Sequence, residues 1–388
     1  MALSILLTVL GTLLIVLTYF DVFLTVLHPQ AESPFSSRLQ RAMWRGLRGL
    51  ARPLRGRQAR HQLLGLAVPL MIMALVGVWI GLLLFAFAMI YAPWIDGPGA
   101  FRHPDGGTTP GWGDALYFSG VTLSTVGYGD IQPVHPLLRF VAVIEGFSGI
   151  GVLSLSIAYV LEVYPVLQRK GVLAVLLNEE TDGQVQALPL LARYLRNGNF
   201  EALAGLLRLV NGELLLLAEA HRRLPILHYA HPPAVERSFL RVLLVVQQLV
   251  GALRYGLAGG VGRAWADDPR VRALEDSLFY TLYTLGSSLH LPLLSAPGDA
   301  PEDEAATQFQ ELCARLALLG LPTPSRQPSG PDAASEWERA QVEFARFYTA
   351  SERALQSYLR NSGYSAAEAR ARTVRPQKLV SDLEADIE

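Results

Sequence analysis

The chain has 388 residues, 51% of them hydrophobic and 17% charged, with a mean hydropathy of +0.28 and a formal net charge of −1. That balance describes a membrane protein with a large soluble part, and it offers no electrostatic footprint for a nucleic-acid partner. Cys313 is the single cysteine, which excludes an intrachain disulfide and fits a reducing compartment.

The first predicted element is an apolar segment from about Ala2 to Leu27, long enough to cross a bilayer. It lacks the basic start, short core and small-residue cleavage site of a signal peptide, so residues 1–30 read as a retained transmembrane helix. Asp21 lies near its inner end and reads as an interfacial or bundle-facing carboxylate rather than an ion site. Next, Arg38, Arg41, Arg45, Arg48, Arg52 and Arg55 recur at alternating steps of three and four and form one stripe of a helix. Leu39, Met43, Leu47, Leu50 and Leu54 fall on the other side. Residues 35–61 are therefore predicted to be a basic helix in the plane of the membrane surface, its arginines toward anionic lipid phosphates. The plainer alternative is that these charges only fix topology.

Two further apolar spans follow, from about Leu63 to Ala92 and from about Leu137 to Tyr164. The loop at 38–60 is rich in arginine and free of acids, while the loop at 93–111 sets Arg102 against Asp96 and Asp105. The positive-inside bias places 38–60 in the cytosol, the N-terminus outside, and everything after Tyr164 in the cytoplasm, in a cell (inner) membrane.

Between these spans lies Thr125-Val126-Gly127-Tyr128-Gly129-Asp130. Successive backbone carbonyls can all face one axis only if every second residue takes a left-handed dihedral, which glycine accepts most cheaply. Gly127 and Gly129 stand at such alternate positions, leaving Val126 and Tyr128 free to turn outward and pack. The Thr125 hydroxyl can add a last ring of oxygens. This TVGYGD run resembles the selectivity filter of tetrameric K+ channels. Around it, residues 62–165 are similar to that family's pore domain of outer helix, pore helix, filter and inner helix.

The resemblance implies that K+ ions lose water at the carbonyls of Thr125, Val126, Gly127 and Tyr128. One such loop per chain implies a homotetramer. Asp114 to Ser124 corresponds to the pore helix, whose C-terminal dipole end favours a cation. In the inner helix, Gly149 stands where the family places a hinge, and the stretch from Gly149 to Tyr159 is expected to form the gate. Gly146 and Gly151 read as packing or bending positions. Glu145 is expected either to support the filter's backing or to face an aqueous rim. Where some members pair the filter aspartate with a pore-helix carboxylate, this chain has Val121, so Asp130 is expected to lack that partner.

Residues 166–388 are predicted to form an all-helical cytosolic regulatory domain. Periodic apolar runs fall near 184–196, 200–223, 233–257, 270–290, 305–319 and 335–361, separated by Gly- and Pro-rich punctuation. The stretches 294–304 and 321–334 read as loops and the tail after Pro376 as frayed. The 239–253 run holds Arg241, Gln247 and Gln248 and reads as a core helix rather than a span. His221, His228 and His231 read as structural, because Pro225 interrupts any metal spacing. A stripe of Trp337, Phe344, Phe347, Ser351, Leu355 and Tyr358 packs either on its own domain or on a neighbouring subunit.

No nucleophile, carboxylate pair or phosphate loop points to an enzyme, and no organic cofactor is predicted. The fold class is therefore all-α, a membrane channel pore with an extra N-terminal helix. The expected function is passive K+ conduction, gated through the helical domain by a ligand or partner that the residues do not identify. The alternative is a membrane-anchored scaffold in which the pore module serves assembly.

Overall fold

The computed structural model describes residues 2–28, 33, 35–54, 56–103, 111–196, 198–289, 302–324 and 331–373. Among these the chain is helical apart from one pair of two-residue strands. The all-α expectation holds. Two compact units form, one from Met1–Gly46 with Ala67–Tyr164 and the other from Leu47–Leu66 with Pro165–Glu388.

In the first unit, α1 (Ala2–Val26) packs along α4 (Ala67–Tyr91). Both are long enough for a bilayer of about 30 Å. After α4, β1 (Phe101–Arg102) is followed by α5 (Trp112–Leu123), an irregular loop, β2 (Gln132–Pro133) and α6 (Pro136–Glu180). The strands pair antiparallel, Phe101 opposite Pro133 and Arg102 opposite Gln132, and so close the base of the re-entrant segment.

Helix α6 is 45 residues long, about 68 Å at 1.5 Å per residue, more than twice the hydrocarbon thickness. It continues through Pro165, where the sequence suggested an end, and the boundary between the two units falls at that proline. Proline removes one helical hydrogen bond and crowds the preceding turn, which makes this position the intrinsic weak point of the rod.

The basic helix predicted over 35–61 is two helices, α2 (Ser36–Ala51) and α3 (Arg57–Gly65). Pro53 is the physical reason: it cannot donate in the helix interior and biases Arg52 away from the α region. Arg38, Arg41 and Arg45 are exposed on α2 and Arg52 in the turn after it. Arg48 departs from the lipid-facing expectation, since it is half-buried and donates to the Arg360 carbonyl at 2.9 Å. Arg55 lies outside the described residues.

The second unit contains α7 (Leu188–Leu195), α8 (Phe200–Arg223), α9 (Phe239–Gly251), α10 (Gly259–Ala266), α11 (Pro269–Ser288), α12 (Glu302–Leu318), α13 (Pro331–Ser362) and α14 (Ala366–Arg370). Helix α9 is its centre, packed by α11 and α13 and extended by a π turn at Ala252–Gly256. Although long and apolar enough to cross a membrane, α9 with this turn is buried within the unit, as its polar residues suggested. The Arg241 side chain, in a residue 2% exposed, donates to the carbonyls of Ala371 (2.7 Å) and Gly183 (2.5 Å), so it fastens the segment after α14 to the core.

The α13 stripe of Trp337, Phe344, Phe347, Ser351, Leu355 and Tyr358 is buried in this same unit, which decides for own-domain packing. The three histidines separate into two groups. Lys170 Nζ reaches His221 Nε2 at 3.2 Å and the Leu227 carbonyl at 3.1 Å, beside the His228 ring, whereas His231 joins His61 and Glu368. Of the expected loops, 294–301 and 325–330 lie outside the described residues, as does the acidic tail, while 302–304 and 331–334 are helical as the first turns of α12 and α13.

Candidate functional site

The re-entrant segment begins with α5, whose first turn is closed by the Asp114 carboxylate accepting from the Gly111 amide at 2.8 Å. A negative side chain there complements the helix dipole. At the other end the helix leaves Val121 and Thr122 carbonyls to the loop: Thr125 N–H donates to Thr122 at 3.0 Å, and Val126 and Gly127 N–H both donate to Val121 at 3.1 and 3.3 Å. Val121 thus serves through its backbone.

From Thr125 to Gly129 the backbone alternates. Thr125 has φ +60°, Gly127 +60° and Gly129 +76°, with Val126 and Tyr128 between them at ordinary dihedrals. Every second residue is therefore left-handed. The two glycines meet the demand inferred from the sequence, and Thr125 meets it at a steric cost no glycine would carry, of order 1–3 kcal/mol. Residues 124–130 are all exposed in the single chain, Tyr128 most at 72%.

Two side-chain bonds hold the outer end. The Tyr117 hydroxyl donates to Asp130 Oδ2 at 2.8 Å, so Asp130 lacks a carboxylate partner but has a phenolic one. The Gln132 amide donates to the Gly129 carbonyl at 2.8 Å. Neither partner carried a signal in the spacing of the sequence.

Behind the loop, Glu145 of α6 is fully buried. It accepts from Tyr91 of α4 at 2.8 Å and from Ser119 of α5 at 2.5 Å, while Ser119 also lies 2.9 Å from the Leu84 carbonyl. The aqueous-rim alternative falls away, and Glu145 joins three helices. Tyr91, Phe101 and Phe118 meet edge to face around this junction, with centroids 5.0–5.9 Å apart.

Gly149, expected as a hinge, makes a close backbone contact. A Cβ at that position would lie 1.9 Å from the Leu123 carbonyl oxygen. Contact with the end of α5 demands glycine here, and α6 runs through the position unbroken. At Gly146 the nearest atom to a Cβ is an ordinary 3.9 Å away, and at Gly151 there is open space. Further along α6, the buried Tyr159 shares a hydrogen bond with Gln40 of α2.

Asp21 is bundle-facing, as expected. It accepts from Ser33 Oγ at 2.6 Å, Trp79 Nε1 at 2.9 Å, the backbone N–H of Phe35 at 3.0 Å and the Ser36 hydroxyl. One carboxylate thereby ties α1 to α4 and caps the start of α2.

Residues 77–164 match the family described as "Ion channel". The match indicates an ion channel. Over 250 residues the chain is 26% identical to the "Uncharacterized membrane protein YdjJ" of Bacillus subtilis (strain 168), covering 64% of this chain and 69% of that protein. This likeness is longer than the matched channel segment and so reaches beyond it. No solved structure matches the chain.

Proposed function

We propose that this membrane channel is selective for K+ and conducts it passively through a homotetramer. The observation that carries the reading is the alternation of left-handed residues at Thr125, Gly127 and Gly129, which is the backbone geometry that turns consecutive carbonyls to one side. In this reading Thr125, Val126, Gly127 and Tyr128 offer K+ their carbonyl oxygens, and Thr125 adds its hydroxyl. Four copies make the ring. The exposure of Val126 and Tyr128 supports assembly, as does the exposed apolar row Phe140, Val143, Phe147, Ile150 and Ile157 on α6. Arg38, Arg41, Arg45 and Arg52 face the cytoplasmic leaflet and its anionic lipids, the N-terminus is outside the inner membrane, and the second unit is cytoplasmic and sets the gate.

The experiment is flux from liposomes containing the full-length chain, with K+ and Na+ gradients compared. K+ flux well above Na+ flux, lost or made unselective by Gly129→Ala, is the expected result, because alanine is strained at φ +76°. Equal K+ and Na+ flux overturns selectivity. No cation flux from correctly inserted tetramers favours the scaffold alternative.

A further inference from the structure

Within the second unit, α9, α12, α13 and α14 and the segment before α7 line a half-open cleft of about 420 Å³. That volume is in the range of small-molecule sites. The lining is unusual for a gap left by packing. Gln184, Gln186, Gln247, Gln248 and Gln308 present side-chain amides, and Arg315, Arg370 and Arg372 present guanidinium groups.

The charges do not cancel. Arg315 pairs with Glu311 and Arg370 with Glu352. Arg372 has no ion-pair partner among the described residues, so the site carries one surplus positive charge. Guanidinium forks suit phosphate or carboxylate oxygens.

A second observation is independent of charge. Gln247 is 2% exposed, and its Nε2 lies 2.9 Å from Ser351 Oγ and 3.4 Å from the Glu352 carboxylate. Ser351 already donates to the Phe347 carbonyl and a carboxylate can only accept, so the amide nitrogen must face them. The Gln247 Oε1 is then left buried without a hydrogen-bond partner. An acceptor in that state costs about 1–3 kcal/mol and, being closed to water, reaches a bound molecule only if the Gln247 amide turns toward the cleft.

We infer that this cleft binds a small organic anion that combines an oxyanion group, phosphate or carboxylate, with N–H or O–H donors. The oxyanion sits at Arg372 with Arg370 and Arg315 beside it, and a donor meets the lining amides, Gln184, Gln186 and Gln248 among them. Binding is a property of the second unit and stands whether or not the pore selects K+.

Calorimetric titration of the full-length protein in detergent separates the sources. AMP supplies a phosphate with a donor-bearing ring, citrate supplies carboxylates with a hydroxyl, adenosine supplies the ring without the charge, and inorganic phosphate supplies the charge alone. The expected result is saturable binding of AMP or citrate at least about tenfold tighter than adenosine and inorganic phosphate, about 1.4 kcal/mol. The exposed Arg372→Gln variant weakens it by about tenfold and leaves the melting temperature of the free protein unchanged. Gln248→Ala, at the half-buried rim, weakens it less. The inference is overturned if neither AMP nor citrate binds more tightly than inorganic phosphate, if adenosine matches AMP and citrate does not bind, or if Arg372→Gln binds as the parent does.

Discussion

Gly149 and the Leu123 carbonyl oxygen are in such close contact that the smallest side chain, a methyl group, would lie 1.9 Å from that oxygen. The residue is where an inner-helix hinge was expected, yet what the fold requires of it is the absence of a Cβ. Gly149→Ala should therefore displace α6 or the end of α5. The expected cost is about 1–3 kcal/mol of overpacking, with loss of flux because the loop at 124–130 starts from that end. Gly151→Ala meets open space and should conduct normally. Normal flux in Gly149→Ala, measured in the same liposomes, would show that the contact with Leu123 does not require glycine there.

Glu145 gives the second expectation. Its carboxylate joins the Tyr91 and Ser119 hydroxyls, which are all fully buried. Glu145→Ala strands the Tyr91 hydroxyl, leaves Ser119 only the Leu84 carbonyl and opens a space, at an expected cost of about 2–4 kcal/mol. Glu145→Gln retains one accepting oxygen and should keep more of the stability. The melting temperature in detergent checks the order: parent highest, glutamine next, alanine lowest. Equal melting temperatures for all three would remove Glu145 from the junction.

Asp21 carries the third. Removing its charge deprives the Ser33 and Ser36 hydroxyls, the Trp79 indole and the start of α2 of their shared acceptor. Asp21→Asn should cost about 2 kcal/mol, since a neutral amide oxygen accepts fewer bonds and complements the helix dipole less. Trp79 fluorescence should shift as its indole loses its partner. An unshifted spectrum with an unchanged melting point would contradict this role.

Much of this architecture was legible because its causes are local. Apolar length marked α1, α4 and the first half of α6, and the 3.6-residue period placed α8, α9, α11, α12 and α13 to within a few residues. The alternating glycines announced the loop at 124–130. What stayed hidden depended on distant partners. Tyr117, Ser119 and Gln132 are ordinary polar residues until folding brings Asp130, Glu145 and the Gly129 carbonyl to them. Helix α6 looked finished at Tyr164 because charges begin near there and Pro165 reads as a stop, whereas a proline inside a long helix loses only local bonds. Conversely, the 3-and-4 stepping of the arginines masked the break at Pro53.

The last expectation concerns acid. Glu368, at the start of α14, is contacted by Arg57 and Arg60 at 3.1 and 2.7 Å and by His61 Nε2 at 3.2 Å. Burial alone would push its carboxyl up. Hydrogen bonds from the Ser365 backbone and side chain and from His61, with the Arg60 charge, outweigh that and hold it down at about 2. The His231 Nδ1 donates to the Ser362 carbonyl, its Nε2 lies 2.7 Å from His61 Nδ1, and burial pushes His231 down to about 4. The signs agree. A depressed carboxylate contributes stability that is present above its ordinary value of 4.5 and is lost as pH falls toward 2. A depressed histidine stays neutral in the fold while the unfolded chain takes up a proton below 6.5, so stability also falls from there toward pH 4. The surroundings of α14 should thus loosen in two stages on acidification, first through His231 and then through Glu368, while the buried His221 and His228, also pushed down, add to the upper loss across the unit. Glu368→Gln should lower stability at pH 7 by about 1–2 kcal/mol, discounted for solvent screening, and abolish the lower stage while keeping the upper. Hydrogen exchange at α14 as a function of pH reads both stages, and a lower stage that persists in Glu368→Gln would assign it to another carboxylate.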